Sequence, residues 1–316
     1  MVKWTAAEIP SQKGRLAIVT GTGGLGFEDA LALARAGAEV IIAGRNAQKG
    51  DAAVRRIGEQ VPAANIGFEQ LDLASLQSVQ RFADTIAARH DRLDILINNA
   101  GVMVPPVRQQ TTDGFELQFG TNYLGHFALT AHLLPLLAKG SDPRVVTLSS
   151  VAARSGQIDF NDLQSSAAYN ASRAYGQSKI ACLMFAQELQ RRSESGKWGI
   201  TSIAAHPGIA RTELLHNAPG RISVMGLTRS YLWFLFQPVA QGALPSLYAA
   251  TAPQAQPGAY YGPDRLSETR GYPSLAKVPP QALDKAVSER LWTVSEQLTG
   301  VTFSLDKAQR AANLNA

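Results

Sequence analysis

Six short runs rich in Val, Ile, Leu and Ala recur along the chain, separated by longer segments whose apolar residues have helical spacing. The runs are 15–20 (RLAIVT), 39–43 (EVIIA), 66–70 (IGFEQ), 93–97 (LDILI), 144–149 (RVVTLS) and 199–205 (GITSIAA). The helical segments fall at about 25–36, 47–60, 75–90, 114–138 and 172–193. This alternation permits few folds. A strand followed by a crossover helix feeds a neighbouring parallel strand, almost always with a right-handed connection. The strands are nearly continuous in apolar residues, so both sheet faces need cover. The expected architecture is α/β: a single doubly wound parallel sheet of Rossmann type with helices on both faces. Ligands of such a sheet bind beyond the carboxyl ends of its strands.

With 316 residues, 45% of them hydrophobic, the chain can bury a core of that size. It shows neither internal repeats nor a low-complexity linker. One domain over 1–316 is expected, with an apolar insertion at about 209–236 and a C-terminal extension from about 263 to 316. The net charge of +5 is spread through the chain. A nucleic-acid binder would show a clustered basic stripe instead. A single cysteine, Cys182, excludes a disulfide framework and a Cys-rich metal site. It lies in the apolar run "KIACLMFAQEL" and reads as a packed thiol. No metal is expected. The N-terminus lacks the apolar core of a signal peptide. The longest apolar window near the C-terminal half, "YLWFLFQPVA", is well short of the ~20 residues of a membrane span. The expected location is cytoplasmic.

The first strand runs into "TGTGGLGFE" at 20–28. A dinucleotide-binding turn needs glycine for the tight bend, for close approach to pyrophosphate, and for helix–strand packing. Gly21, Gly23 and Gly26 satisfy G-x-G-x-x-G, between a strand and a helix as that motif requires. A plain tight turn is the alternative. The second strand ends "IIAGRN". A carboxylate there would bind the ribose 2′-hydroxyl of NAD, whereas arginine would pair with the 2′-phosphate of NADP. Gly44 takes the acidic position and Arg45 follows, offering a planar fork of donors to a phosphate. NADP is therefore favoured over a merely solvated arginine.

Further along, "NNAG" at 98–101 forms a shaped strand-end turn. "RVVTLSS" ends its strand in Ser149 and Ser150, facing the ligand crevice, where a hydroxyl either holds a substrate oxygen or caps a turn. "YGQSK" sets Tyr175 and Lys179 four apart, on one helix face. An isolated tyrosine ionises near pH ~10. A neighbouring ammonium favours the phenolate and makes a tyrosine usable as a proton shuttle near neutrality. "YNASR", Tyr169 to Arg173, has the same spacing but lies in a Ser/Ala/Asn-rich approach that reads as loop.

In order and together, these motifs resemble the short-chain dehydrogenase/reductase family. The likeness also includes "NYLGHF" at 122–127 and "HPGIARTEL" at 206–214, and it covers most of the chain. "QIDFNDLQ" (157–164), "RAYGQSKIACLMFAQEL" and "AYYGPDR" (259–265) are similar to the bacterial retinol-dehydrogenase-like branch. The resemblance implies an oxidoreductase of the carbonyl-reductase or alcohol-dehydrogenase kind. Tyr175 would be the acid/base. Lys179 would stabilise its phenolate and bond the nicotinamide ribose. Ser150 would hold the substrate oxygen, and Asn122 would anchor a water leading to Lys179. Asp72, followed by Leu73, would meet the adenine. Asn98, Asn99, Ala100 and Gly101 would line the cofactor, and Pro207, Gly208 and Thr212 would hold the nicotinamide carboxamide. The family often pairs the helices near 114–138 and 172–193 in a homodimer, a pairing that the additions in this chain could block. Its glycine loop is usually T-G-x-x-x-G-x-G. Here Thr20-Gly21 is followed by only two residues before Gly24-Leu25-Gly26, one residue short. Sequence leaves open whether the G-x-G-x-x-G match through Gly21, Gly23 and Gly26 is a by-product of that shortening or a replacement of one turn by another.

The segment after the sixth strand contains Met225, Tyr231, Trp233, Phe234 and Phe236. It reads as a lid over a small lipophilic alcohol or carbonyl, or equally as core packing or an interaction patch. Arg229 beside "SYLWFLF" keeps peripheral membrane contact among the alternatives. Two other functions stay open at this level: an NADP(H)-binding regulator without turnover, and a membrane-peripheral interaction protein.

Overall fold

The computed structural model describes residues 3–210 and 237–305. Eight strands form one sheet in the order β3-β2-β1-β4-β5-β6-β7-β8. They are β1 (Leu16–Thr20), β2 (Glu39–Gly44), β3 (Ile66–Gln70), β4 (Ile95–Asn98), β5 (Arg144–Leu148), β6 (Thr201–Ala205), β7 (Tyr260–Arg265) and β8 (Arg270–Leu275). Strands β1 to β7 pair in parallel, and β8 returns antiparallel to β7. The six expected strands are all present. The expected parallel sheet is present, and the hairpin β7–β8 adds one antiparallel edge strand to it, near where a C-terminal extension was expected. The prolines of "YYGPDR" and "RGYPSL" hide it, yet Pro263 and Pro273 sit opposite each other, past the residues that pair with β6.

The helices are α1 (Gly24–Arg35), α2 (Ala47–Gln60), α3 (Leu76–Arg89), α4 (Gly125–Leu137), α5 (Ala171–Gly196), α6 (Val239–Gly242), α7 (Leu244–Thr251) and α8 (Lys285–Thr299). Asn46, Ser75, Asn170 and Asp284 cap α2, α3, α5 and α8 with side-chain oxygens. One core on one sheet face holds Leu96, Phe127, Leu133, Phe185 and Trp292; the other holds Val19, Ile42, Leu33, Ile97 and Leu247. The segment expected as a helix from 114 starts later. A π-helical turn, Phe119–Leu124, precedes α4. Such turns recur at functional sites because they displace backbone groups from the regular ladder.

The C-terminal segment folds back on the α4–α5 face. Trp292 on α8 packs at 5.1 Å from Phe127 and 5.8 Å from Phe185, ring centre to ring centre, and Phe303 lies 4.4 Å from Trp292. Each such pair contributes about 0.5–1.5 kcal/mol beyond area burial. The α4–α5 face, where pairing between subunits was the expectation, is thus partly covered by the chain itself.

On the other face, α1 and α7 share a buried carboxyl. Asp29 Oδ1 lies 2.7 Å from Ser246 Oγ, which lies 2.7 Å from the Ala243 carbonyl oxygen. Asp29 Oδ2 has no hydrogen-bond partner among the described residues. Burial pushes this carboxyl up to about 8, against the smaller opposing effect of the Ser246 bond. A neutral Asp29 donates to Ser246, whose hydroxyl then donates to Ala243. No described helix is long and apolar enough to cross a membrane.

Candidate active site

The glycine loop connects β1 to α1, and the structure separates its glycines. Gly21 has φ +104° and Gly24 φ +53°, backbone conformations that side chains rarely adopt. A Cβ on Gly26 would collide with the Gly21 carbonyl oxygen and come within 2.7 Å of Asn99 Nδ2. Gly23 is different: it caps α1 with φ −140°, and a Cβ there would meet nothing within 4 Å. The glycines that the backbone requires are therefore 21, 24 and 26. Gly23, through which the chain matches G-x-G-x-x-G, is not one of them. Thr22 lies over the end of β2, where a Cβ on Gly44 would sit 2.7 Å from Thr22 Cγ2. The space where an acidic side chain would stand is thus taken by Thr22.

This loop borders a cleft of about 460 Å³ beyond the carboxyl ends of the strands. Of the residues expected to bind a cofactor, Gly21, Gly23, Gly24, Leu25, Arg45, Asp72, Leu73, Asn99, Ala100 and Gly101 line it. Sequence reading missed Asn46 and Lys49, which share its rim with Arg45. The signal was present: Asn46 Oδ1 accepts the Lys49 N–H at 2.9 Å, an N-cap that fixes Lys49 one turn into α2. The glycine cradle, the N-terminus of α1 and this basic rim fit the phosphates of a dinucleotide. Asn98 was expected beside the cofactor but is turned away. Fully buried, it donates to Thr130 Oγ1 on α4 at 3.1 Å, because alternation along β4 points it to the opposite sheet face.

The far wall of the site is built from α5, the end of β5 and the π turn. Gly156 and Gly176 let the β5 loop press on the second turn of α5, since a Cβ on Gly156 would overlap the Gly176 carbonyl oxygen. The two serines then part. Ser149 is buried and donates to the Lys179 carbonyl oxygen at 2.7 Å. Ser150 is half-buried and caps the 3-10 turn Val151–Ser155, accepting the Ala152 N–H at 3.2 Å. Lys179 is buried, its Nζ donating to the Leu148 carbonyl at 3.1 Å and lying 5.9 Å from the centre of the Tyr175 ring. A Cβ on Gly101 would lie 3.0 Å from Asn122 Oδ1 and 3.7 Å from Lys179 Nζ. Gly101 therefore joins this wall to the cofactor cleft. Tyr169 lies outside α5 and donates to the Pro105 carbonyl at 3.0 Å, as its loop-like surroundings foretold.

Asn122 is held at every polar atom. Its Oδ1 accepts the Val102 N–H at 2.7 Å, and its Nδ2 donates to the Val102 carbonyl at 2.9 Å and to Ser178 Oγ at 3.0 Å. Its backbone carbonyl accepts from His126 Nδ1 at 2.9 Å and from Cys182 Sγ at 3.2 Å. The packed thiol thus has a partner, and burial pushes it up from its ordinary range. Because Asn122 O only accepts, His126 Nδ1 carries the hydrogen. Burial holds this imidazole neutral, down to about 4, so Nε2 accepts from Thr20 Oγ1 at 2.9 Å. The Thr20 oxygen in turn accepts the Asn99 and Ala100 N–H groups, each at 2.9 Å. Every donor and acceptor in this circuit is used, and it ties β1, the "NNAG" turn and the π turn together. His126 was visible in "NYLGHF" only as part of a motif.

Pro207 and Gly208 follow β6 on the same side of the sheet. Gly208 has φ +64°, and its N–H donates to His206 Nδ1 at 3.2 Å. His206 Nε2 meets Glu268 at 3.1 Å, and Arg154, on the 3-10 turn that Ser150 caps, meets the same carboxylate at 2.8 Å. Glu268 ends a run of three non-glycine residues with left-handed φ, Leu266, Ser267 and Glu268 at +48°, +53° and +64°. Each costs roughly 1–2 kcal/mol against right-handed backbone. Although burial opposes ionisation, bonds from His206, the Lys277 N–H and Arg154 hold this carboxyl down at about 2. Thr212 and the aromatic residues of the expected lid lie outside the described residues.

The family model for short chain dehydrogenases matches residues 15–221. Retinol dehydrogenase 13 of Mus musculus is 40% identical over 301 residues, covering 92% of this chain and 85% of its own. Polyprenol dehydrogenase of Mus musculus is 39% identical over 300 residues, covering 92% and 86%. Among solved structures, an uncharacterized protein from Mycobacterium Paratuberculosis is 38% identical with a TM-score of 0.80, over 96% of this chain and all of its own. A short chain dehydrogenase from Shigella flexneri 2A str. 301, complexed with NADP, is 25% identical with a TM-score of 0.62, over 80% of this chain and 98% of its own. The chain belongs to the short-chain dehydrogenase family, oxidoreductases that work with NAD(P)(H), and within it to the retinol-dehydrogenase-like branch.

Proposed function

We propose that the protein interconverts a lipophilic alcohol and its ketone or aldehyde, with NADP(H) preferred over NAD(H). One observation carries the reading: Tyr175 and Lys179 lie one turn apart on α5, and Lys179 Nζ and Asn122 both abut Gly101 at the inner end of the cofactor cleft.

Bound NADP(H) would supply or accept the hydride at its nicotinamide ring. The chain's residues handle the oxygen and its proton. Ser150 already accepts from the Ala152 N–H, so its hydroxyl hydrogen serves as donor to the substrate oxygen. Tyr175 protonates that oxygen in reduction and deprotonates it in oxidation. The Lys179 ammonium stabilises the phenolate between these steps. Ser149 pins the backbone of Lys179, and Asn122 fixes the "NNAG" turn beside it. All polar atoms of Asn122 are engaged within the protein, so its first task is to hold this wall. A relay water, which the family resemblance implies, must share one of those bonds.

NADP preference rests on Gly44, Arg45 and Lys49 around the rim, with no carboxylate at position 44 to repel a 2′-phosphate. A lipophilic substrate is supported by the named activities of the relatives and by the apolar composition of 209–236. The test is a panel of retinoid, polyprenoid and other lipophilic aldehydes and alcohols assayed with both cofactors. NADPH should support the faster turnover, and Arg45→Ala should raise the KM for NADPH by about 10-fold while leaving NADH nearly unchanged, as loss of one charge-assisted phosphate contact implies. Equal loss with both cofactors would make Arg45 a surface charge.

A further inference from the structure

Glu268 lies on the turn between β7 and β8, outside the 15–221 span of the family model. We propose that Glu268 is a positioning residue: it fixes His206 in one tautomer and thereby locks Pro207–Gly208 and the Ser150 turn in a single geometry. The inference rests on the reading of Pro207–Gly208 as the nicotinamide-side wall and of Ser150 as the substrate ligand.

The tautomer follows from the donors. The Gly208 N–H points at His206 Nδ1, so that nitrogen accepts. A neutral imidazole then carries its hydrogen on Nε2, where it donates to Glu268 Oε2. Remove the carboxylate and only the Gly208 N–H still favours this tautomer, with the Nε2 hydrogen left without its acceptor. The other tautomer sets N–H against N–H at Gly208. His206 has little room to turn away: it is buried, its ring lies 5.1 Å from that of Tyr260, and Gly262 packs directly on it.

The same carboxylate reaches the second segment. Glu268 Oε2 also accepts from Arg154 Nη2, which bonds the Ser267 carbonyl as well, at 2.9 Å. Arg154 thus couples the turn that Ser150 caps to the hairpin. The remaining oxygen of Glu268 accepts the Lys277 N–H at 2.9 Å, so the whole carboxylate is used. Neighbouring residues carry the clamp further. Thr269 O accepts the Ile209 N–H at 2.8 Å, Gly271 N donates to Gln237 Oε1 at 3.1 Å, and Gln237 Nε2 donates to the Pro207 carbonyl at 2.5 Å. The hairpin turn therefore grips the chain on either side of residues 211–236. The run of left-handed φ values at 266–268 is what aims Glu268 inward, as backbone strain held by surrounding contacts often does at functional sites.

The experiment compares wild type, Glu268→Ala and Glu268→Gln, with all-trans-retinal and NADPH as probes. In Glu268→Gln the amide oxygen can still accept from His206 and Arg154, so kcat should stay within about 5-fold of wild type. In Glu268→Ala kcat should fall about 10- to 100-fold, the scale of a small misplacement of reacting groups. The Kd for NADPH should change less than about 3-fold, because the glycine loop and the Arg45 rim are untouched. Imidazole 15N shifts of His206 in the cofactor-free protein should show the Nε2–H tautomer in wild type and Gln, and a smaller share of it in Ala, where the Gly208 N–H alone favours it. An alanine variant with wild-type kcat and an unchanged tautomer overturns the proposal. So do equal kcat losses in Ala and Gln that track a common fall in melting temperature. A wild type inactive on every panel substrate would remove the functional reading instead, and the tautomer comparison alone would then decide the clamp.

Discussion

The two ends of the cleft are built by opposite means. The glycine-loop end is made of backbone, and its shape is set by side chains that are missing: Gly21 and Gly24 hold left-handed φ, and Gly26 leaves no room for a Cβ. The wall around Lys179 is made of buried side chains tied by hydrogen bonds, as in the circuit from Asn122 through His126 to Thr20. The difference teaches where each end tolerates change. A backbone cradle fails when atoms are added; a side-chain circuit fails when a polar partner is removed and its neighbour is left unpaired in the interior.

Three substitutions near the loop sharpen this contrast, in order of expected effect. Gly26→Ala should raise the Kd for NADPH about 10- to 100-fold, since overpacking against the Gly21 carbonyl costs about 1–3 kcal/mol with nowhere to relax. Fluorescence titration of NADPH reads this directly, and unchanged affinity would show that the loop yields. Next, Asp29 in α1 gives the loop's own helix a pH signature. Its folded carboxyl is neutral up to about 8, against 3.8 for an ordinary aspartate. Its contribution to stability is therefore full below the unfolded value and is lost as pH rises towards 8, by up to about 1.4 kcal/mol per pH unit. Asp29→Asn keeps a donor for Ser246 and removes that slope, so its gain in denaturation midpoint over wild type should grow from pH 5 to pH 8. Parallel curves would mean that Asp29 ionises in the fold. Smallest of the three is Gly23→Ala. Nothing lies within 4 Å of the new methyl, so NADPH affinity should stay within about 2-fold. A large loss there would restore Gly23 as a functional glycine.

These expectations also mark what the sequence made legible. Alternating apolar runs revealed the sheet through β6, because period and composition are local properties. Residue types that form phosphate cradles and proton shuttles were readable as well, and Arg45, Asp72, Asn99 and Gly101 do border one cleft. Which glycine mattered was not readable, since it depends on φ and on the distance to Asn99, 73 or more positions away in sequence. The buried circuits were hidden for the same reason. Thr20 meets His126 across 106 positions, and Arg154 meets Glu268 across 114. Asn98 was misread because the alternation along β4 that turns it towards Thr130 shows only once the strand's end is fixed. The hairpin β7–β8 was missed because prolines in both strands argue against a strand until their edge placement is known.

The central claim is that Tyr175, beside Lys179, moves the alcohol proton while the glycine cleft holds NADP(H). Tyr175→Phe removes one oxygen and leaves the ring and α5 in place, so it separates chemistry from binding. Stopped-flow measurement of NADPH oxidation by the best aldehyde of the panel, with a parallel titration of NADPH fluorescence, reads both. The account predicts a rate at least about 10³-fold below wild type, towards the upper range of a positioned general acid's contribution, with NADPH affinity within about 3-fold. Turnover at more than a tenth of the wild-type rate, with the cofactor still bound, would contradict it and return the acid/base role to another residue, Tyr169 first.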